Sequence, residues 1–273
     1  MKTILVPVDF SPASVNAANY AMDMALAIHS NIHLLHVYQL PVVYLDVPVA
    51  ITEEDLRTNA ERQMSKLEAE LVLKSGTKIS IRSQIKMGSF FSALSTSCDR
   101  LKPYTVVMGS QGSTAAERFF FGGHAVYTMK HLTWPVITVP PGAGFSSIKN
   151  IGLAFDFAKM IEEIPIEEIK SLLKDFNASL HVLNTAKQDE FDANIVFESS
   201  MLEEVMKPFK PNCHFITSDD VDKGIMDFAD KNNIDLLMVL PKRHGLVERL
   251  MHKSLSKQMV LHSHIPVMAL HQS

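Results

Sequence analysis

The chain is written twice. At a constant offset of 131 residues, Cys98-Asp99-Arg100 stands over Ala229-Asp230-Lys231, Glu117-Arg118 over Glu248-Arg249, and Trp134-Pro135-Val136 over Ile265-Pro266-Val267. No gap is needed from residue 98 to 139, an agreement that chance does not readily supply. Earlier in the chain TILVPVDF (residues 3–10) is echoed by NIGLAFDF (150–157), with Asp156 where Asp9 stood, and IHLLHV is echoed by ASLHVL (178–183). A repeat of this length is one supersecondary unit built twice, with its joint at Pro140-Pro141-Gly142-Ala143-Gly144. The expected domains are residues 1–141 and 148–273.

Each copy alternates apolar runs with helical patterns. Residues 3–10 are rich in branched side chains without polar alternation, as a strand buried on both faces requires. Ser11-Pro12 then supplies a cap and a proline for a first helical turn, followed by apolar positions at Val15, Ala18, Met22, Ala25 and Leu26. A strand is expected at residues 31–38, and a helix opening at Thr52, where Asp55 three residues on completes a capping box. Strands near 78–85, 104–108 and 136–139 and helices near 90–101 and 125–131 finish the first copy. Strands alternating with helices make a parallel sheet covered on both faces, so the fold class is α/β with five parallel strands per copy.

Composition narrows the function. The 273 residues suffice for two such domains, and 47% hydrophobic residues provide for a buried core. Lys and Arg number 26 against 30 Asp and Glu, so no basic field awaits a phosphate backbone and no nucleic-acid partner is expected. Cys98 and Cys213 are too few for a disulfide framework and suit a reducing compartment. The apolar start Ile4-Leu5-Val6 is cut by Pro7 and Asp9, too short for an export signal, and no run of about 18 apolar residues exists to span a membrane. A soluble cytoplasmic protein is the expectation.

Chemistry concentrates in the glycines. Gly109, Gly112, Gly122 and Gly123 fall within fifteen residues, directly after an apolar strand and ahead of a helix. At such a junction backbone N–H groups point outward unpaired, and glycine lets an anion approach them. Ligands of open α/β sheets bind at these carboxyl ends. The spacing matches neither the Walker loop nor the dinucleotide fingerprint. The two readings are a phosphate-binding loop and a plain connection that needs positive φ. The second copy weighs toward the first, since there Gly109 becomes Leu240, Gly112 becomes Arg243 and Gly122 becomes Lys253 while the apolar pattern persists. Pro241 also removes a donor from that loop.

With these residues in view, a resemblance emerges. Val8-Asp9, His36-Val37, Met108-Gly109-Ser110-Gln111-Gly112, the nine-residue spacer, Gly122-Gly123 and the closing Trp134-Pro135-Val136-Ile137-Thr138-Val139 resemble the universal stress protein family in a tandem two-domain form. The resemblance covers essentially the whole chain and implies a three-layer α/β/α, Rossmann-like fold of the adenine nucleotide alpha hydrolase type. One subclass of that family binds ATP or AMP, which allows an accompanying Mg²⁺. By resemblance, Asp9 accepts hydrogen bonds from ribose or the adenine edge, and Pro7, Val8 and Val37 line the base. Met108 and Gly109 close over the sugar, and Gly112, Gly122, Gly123, His124 and Ala125 offer amides to phosphates. The family motif has Ser or Thr where this chain has Gly123. A lost hydroxyl bond to a charged phosphate forfeits about 1.5–3 kcal/mol, or roughly ten- to a hundredfold in affinity. The second copy keeps Asp156 and Ser254 but lacks the glycines, so no comparable site is expected there. Family members pair through the fifth strand, which implies an internal pseudo-dimer of the two halves and allows a homodimer.

The remaining candidates read more plainly. His252, His262 and His264 lack the spacing of metal ligands. Cys213-His214 reads as packing, and Met22, Met24, Met201 and Met206 as core filling. Phe119-Phe120-Phe121 reads as an apolar face beneath the loop, with a partner-binding patch as the alternative, and Lys242, Arg243, His244 and Lys253 as a solvated basic face or an anion site. No Ser or Cys sits beside a base that a third group orients, so no catalytic residue is assigned and at most slow ATP hydrolysis is expected. Three functions compete: a stress-response protein using an adenine nucleotide as regulatory ligand, a scaffold that binds a protein or other small ligand, and an adenylyl-transfer or ATP-pyrophosphatase enzyme. The third lacks its serine-glycine-glycine loop, because Val8-Asp9-Phe10-Ser11-Pro12 stands after the first strand.

Overall fold

The computed structural model describes residues 1–40, 52–76, 78–110, 115–155, 164–184, 193–216, 218, 220–241 and 263–271. The first half runs β1 (Thr3–Pro7), α1 (Pro12–Ala27), β2 (Asn31–Tyr38), α2 (Glu53–Ser75), β3 (Ile81–Met87), α3 (Phe90–Leu101), β4 (Thr105–Gly109), α4 (Ala115–His131) and β5 (Val136–Val139). The second runs β6 (Asn150–Phe155), α5 (Ile166–Phe176), β7 (Ser179–Asn184), α6 (Ala193–Met206), a 3-10 turn, β8 (Asn212–Phe215), α7 (Val221–Lys231), β9 (Leu236–Val239) and β10 (Val267–Ala269).

Capping chemistry starts the helices where the sequence placed them. Ser11 accepts the Ser14 amide at 3.2 Å, with Pro12 as the first residue of α1. Thr52 and Asp55 close a reciprocal box, the Asp55 amide reaching Thr52 Oγ1 at 3.1 Å and the Thr52 amide reaching Asp55 Oδ2 at 2.9 Å. These bonds satisfy amides that a helix start leaves unpaired, and they hold the Asp55 carboxyl below its usual range.

The two five-stranded units fuse into one sheet of order β3-β2-β1-β4-β5-β10-β9-β6-β7-β8. Within each half every pairing is parallel, whereas β5 and β10 run antiparallel, with Thr138 opposite Val267 and Val136 opposite Ala269. The fifth strands, edges in isolation, therefore pair with each other, which removes two exposed ladders. Thr138 Oγ1 adds a bond to the Val267 carbonyl at 3.2 Å, and His271 bonds the Met129 carbonyl at 2.8 Å across the same seam.

Alternation along the strands sorts side chains into two layers that run through both halves. Ile4, Val6, Ile32 and Leu34 pack with α1 and α2, and the same layer continues through Ile151 and Leu153 to α5. Leu5, Leu35, Val106 and Met108 face the other way, onto Leu94 and Cys98 of α3 and Ala125 and Met129 of α4, and that layer continues through Leu237 and Val267 to Ile225 of α7. Asp175 ties the halves a third time, accepting from the Tyr104 hydroxyl at 2.7 Å and from the Lys2 ammonium.

Three expectations need correction. The helix expected at residues 125–131 begins at Ala115, so Gly122 and Gly123 lie inside α4 rather than ahead of it. Met22, Met24 and Met206 are core residues, but Met201 is 39% exposed. Neither Gly109 nor Gly123 has positive φ, which is found instead at Gly76, Gly88 and Gly142.

Candidate functional site

In the first half the chain steps from β1 outward through β2 to β3 and then crosses to β4 and β5 on the other side of β1, so the sheet's switch point lies between β1 and β4. The crevice outside the carboxyl ends of two such strands is where α/β sheets take ligands. Pro7, Val8, Asp9, Val37, Met108 and Gly109 all stand on this rim, at the ends of β1, β2 and β4.

Each is held by an identifiable bond or contact. The Val8 amide donates to the Leu35 carbonyl at 2.8 Å, and the Val8 carbonyl bonds His36 Nδ1 at 2.8 Å, which extends the β1–β2 ladder past Pro7. Asp9 Oδ1 accepts the Ser11 amide at 3.0 Å. No bond to its other oxygen is found among the described residues, so half of this carboxylate faces the rim unspent. Phe10 turns the chain at φ 64°, a conformation that costs a bulky residue about 1–3 kcal/mol. Its ring settles 4.5 Å from that of His36.

Gly109 has a packing reason that the sequence did not disclose. A Cβ there would lie 2.9 Å from the Ala13 carbonyl oxygen and 3.2 Å from Ala13 Cβ, so the end of β4 touches the first turn of α1. In the second half Leu240 holds the equivalent place at the end of β9, so there the position is open to a side chain. The second copy is therefore a weaker control for ligand binding than its sequence suggests.

Beside Gly109 lies a residue that sequence reasoning passed over. Ser110 is 2% exposed, its amide donates to the Val139 carbonyl at 2.9 Å, and its hydroxyl has no partner among the described residues. A buried hydroxyl without a partner costs about 1–3 kcal/mol, so this one calls for a partner that the described residues do not supply. The signal was present as a serine directly after an apolar strand, at the glycine motif.

The phosphate end differs from expectation. Gly122, Gly123, His124 and Ala125 are interior to α4, where each amide points at a carbonyl four residues back. Ala125 is wholly buried against Met129 and Leu132, while His124 is exposed with its ring 5.0 Å from Phe90. Gly123 is exposed, and a Cβ on it would touch nothing. Gly112 lies outside the described residues, as do Asp156, Arg243, His252, Lys253, Ser254 and His262, and the Phe119-Phe120-Phe121 side chains.

Other candidates land elsewhere. A cleft of about 230 Å³ opens at the linker, walled by Tyr20, Phe145, Asp235, His264 and Pro266, and no expected site residue lines it. His264 bonds Asp230 there. The Cys213 thiol is pushed up to about 11 by burial and then by Glu203, which leaves it a poor nucleophile. Its neighbour His214 bonds His181 instead. Among the described residues no helix is long and apolar enough to cross a membrane.

Comparison with known proteins agrees with this architecture. The chain is similar to a universal stress protein from Archaeoglobus fulgidus, with 18% identity and TM-score 0.76 over 99% of this chain and 98% of that one. It is also similar to a putative universal stress protein from Pseudomonas aeruginosa, with 11% identity and TM-score 0.62 over 99% of this chain and 93% of the other. At such identities the likeness speaks for the fold. None of the curated proteins compared matches the chain. The model of the universal stress protein family matches twice, over residues 1–140 and again over 147–271, one match for each half of the sheet, and on that ground the chain belongs to the universal stress protein family.

Proposed function

We propose that the first half binds an adenine nucleotide, ATP or AMP, as a regulatory ligand in a cytoplasmic response to stress. The observation that carries this reading is the pair of unspent polar groups flanking Gly109 at the switch point: the outer oxygen of Asp9 and the buried hydroxyl of Ser110. Asp9 accepts from ribose or the adenine edge, Pro7, Val8 and Val37 supply apolar contact to the base, and Met108 with Gly109 sits under the sugar. Ser110 offers a donor toward the ribose or first phosphate. Phosphates then fall to Gly112 and the unpaired amides at the head of α4, where the helix dipole favours negative charge. Gly122, Gly123, His124 and Ala125 reach a phosphate once the first turns of α4 open, and the glycine pair weakens the helix there by about 1 kcal/mol per residue relative to alanine. Mg²⁺, where it accompanies a triphosphate, is held by the phosphate oxygens and water.

A second reading, a tandem scaffold without nucleotide, is favoured by the helical course of α4 through Gly122 and Gly123. Isothermal titration with ATP, ADP and AMP separates the two. Binding that is lost in both Asp9→Ala and Ser110→Ala supports the nucleotide reading; no heat at millimolar ligand ends it.

A further inference from the structure

The outer strands of the second half, β7 and β8, each carry a histidine on the face that packs against α7. Leu183, two residues beyond His181, is the register partner of His214, so the two imidazoles project side by side from adjacent strands. His181 Nδ1 and His214 Nε2 are 3.2 Å apart, the ring planes differ by 14°, and the ring centres are 5.4 Å apart. That centre separation is the N···N distance plus one ring radius at each end, so the rings meet nose to nose in nearly one plane instead of stacking. One N–H lies between two collinear lone-pair directions.

An aromatic ring packs against the half-buried pair. The Phe228 ring covers the pair at 4.6 Å from His214 and 6.3 Å from His181. Burial lowers the proton affinity of both rings, and His214 lowers that of His181 further, so both are neutral at pH 7. Neutral imidazole is the ligating form. The bridging N–H can move to the outer nitrogen of its own ring, so a cation can enter without net loss of a proton.

We propose that His181 and His214 form a two-coordinate site for a soft monovalent d¹⁰ cation, copper(I) being the biological member of that class and silver(I) its probe. With metal–nitrogen bonds of about 2.0 Å, a tetrahedral ion needs nitrogens about 3.3 Å apart with converging lone pairs, and a linear ion needs them about 4 Å apart and facing. The distance suits the first and the orientation the second. Orientation decides, because the Phe228 ring 4.6 Å away limits tilting of His214 toward it, whereas β8 is the outermost strand among the described residues and has no second ladder there to resist a shift of under about 1 Å. A tetrahedral ion would also want further ligands, and no group of three or more His, Cys, Asp or Glu is gathered for a metal among the described residues. Cys213 belongs to the opposite layer of the sheet.

Titration of the full chain with silver nitrate, followed by ¹⁵N spectra of the histidine rings, tests this. One equivalent is expected to shift His181 Nδ1 and His214 Nε2 more than any other ring nitrogen, and His214→Gln and His181→Gln are each expected to bind one silver ion fewer while keeping the far-ultraviolet circular dichroism. Copper(I) delivered from a competing chelator should show the same one-ion difference. Silver that perturbs only cysteine and methionine signals overturns the proposal, and so does zinc(II) occupying the pair as tightly as silver. Two independent variants keep a folding defect in one from concealing the result.

Discussion

Gly109 and Gly123 belong to one motif, yet the same substitution is expected to shift stability in opposite directions. In Gly109→Ala the new Cβ meets the Ala13 backbone at 2.9 Å and 3.1 Å, and backbone atoms cannot swing aside as a side-chain tip can. Overpacking of that kind costs about 1–3 kcal/mol. In Gly123→Ala the Cβ meets nothing within 4 Å and φ is not positive, so only the helix propensity changes. That change stabilises α4 by about 1 kcal/mol. The two variants should therefore differ by roughly 3 kcal/mol, and with an m-value of about 2–3 kcal/mol/M their urea midpoints should stand about 1 M apart on either side of the parent. Gly109→Ala with the parent's midpoint would mean that β4 does not touch α1. Gly123→Ala that fails to stabilise would mean that α4 does not run helically through Gly123, and would restore the amide cradle expected from the sequence. If nucleotide needs the head of α4 to open, Gly123→Ala should also weaken ATP by several-fold while raising the midpoint.

Acid should destabilise the protein partly through His33. Burial and then Arg100, Arg82 and Lys86 lower its folded pKa below the unfolded value of 6.5. The unfolded chain then binds the extra proton, so this contribution is complete above about pH 6.5 and is lost as pH falls below it. His33→Phe should flatten the stability profile there by up to about 1.4 kcal/mol per pH unit, and an unchanged slope between pH 5 and 6.5 would refute the assignment. Asp175→Ala strands the Tyr104 hydroxyl and the Lys2 ammonium at the junction of the halves, and should cost about 2 kcal/mol in urea denaturation. Tyr104→Phe added to that variant should cost little more, since the partner is already gone; fully additive losses would show that the bond does not hold the halves together. Thr52→Ala should cost about 1 kcal/mol through the lost cap of α2, with Thr52→Ser largely restoring it.

Much of this fold is legible in the sequence because its elements are local decisions. Residues 3–10 read as a buried strand because no polar residue alternates within them, and Ser11-Pro12 and Thr52-Asp55 read as helix starts because capping is settled within one turn of chain. The constant 131-residue offset revealed the duplication before any element was assigned. The rim of the site was legible too, since strand ends in a parallel sheet share one side and Asp9, Val37 and Met108 are each at such an end.

What one residue meets from a distant element was decided only in three dimensions. Gly109 is required by Ala13, nearly a hundred residues away, and the approach depends on how soon α1 begins after β1. The Ser110 hydroxyl, without a partner among the described residues, and the collinear His181–His214 pair follow from which groups burial leaves unmatched and which strands lie side by side. The course of α4 through its glycines also escaped the sequence, because Gly122-Gly123 reads locally as a break and the penalty of two helical glycines is small enough for tertiary packing of Ala125 and Met129 to override. Periodicity and capping are short-range and survive in the written chain; shape complementarity and polar satisfaction are properties of the folded surface, and exist only once the two halves have closed their shared sheet.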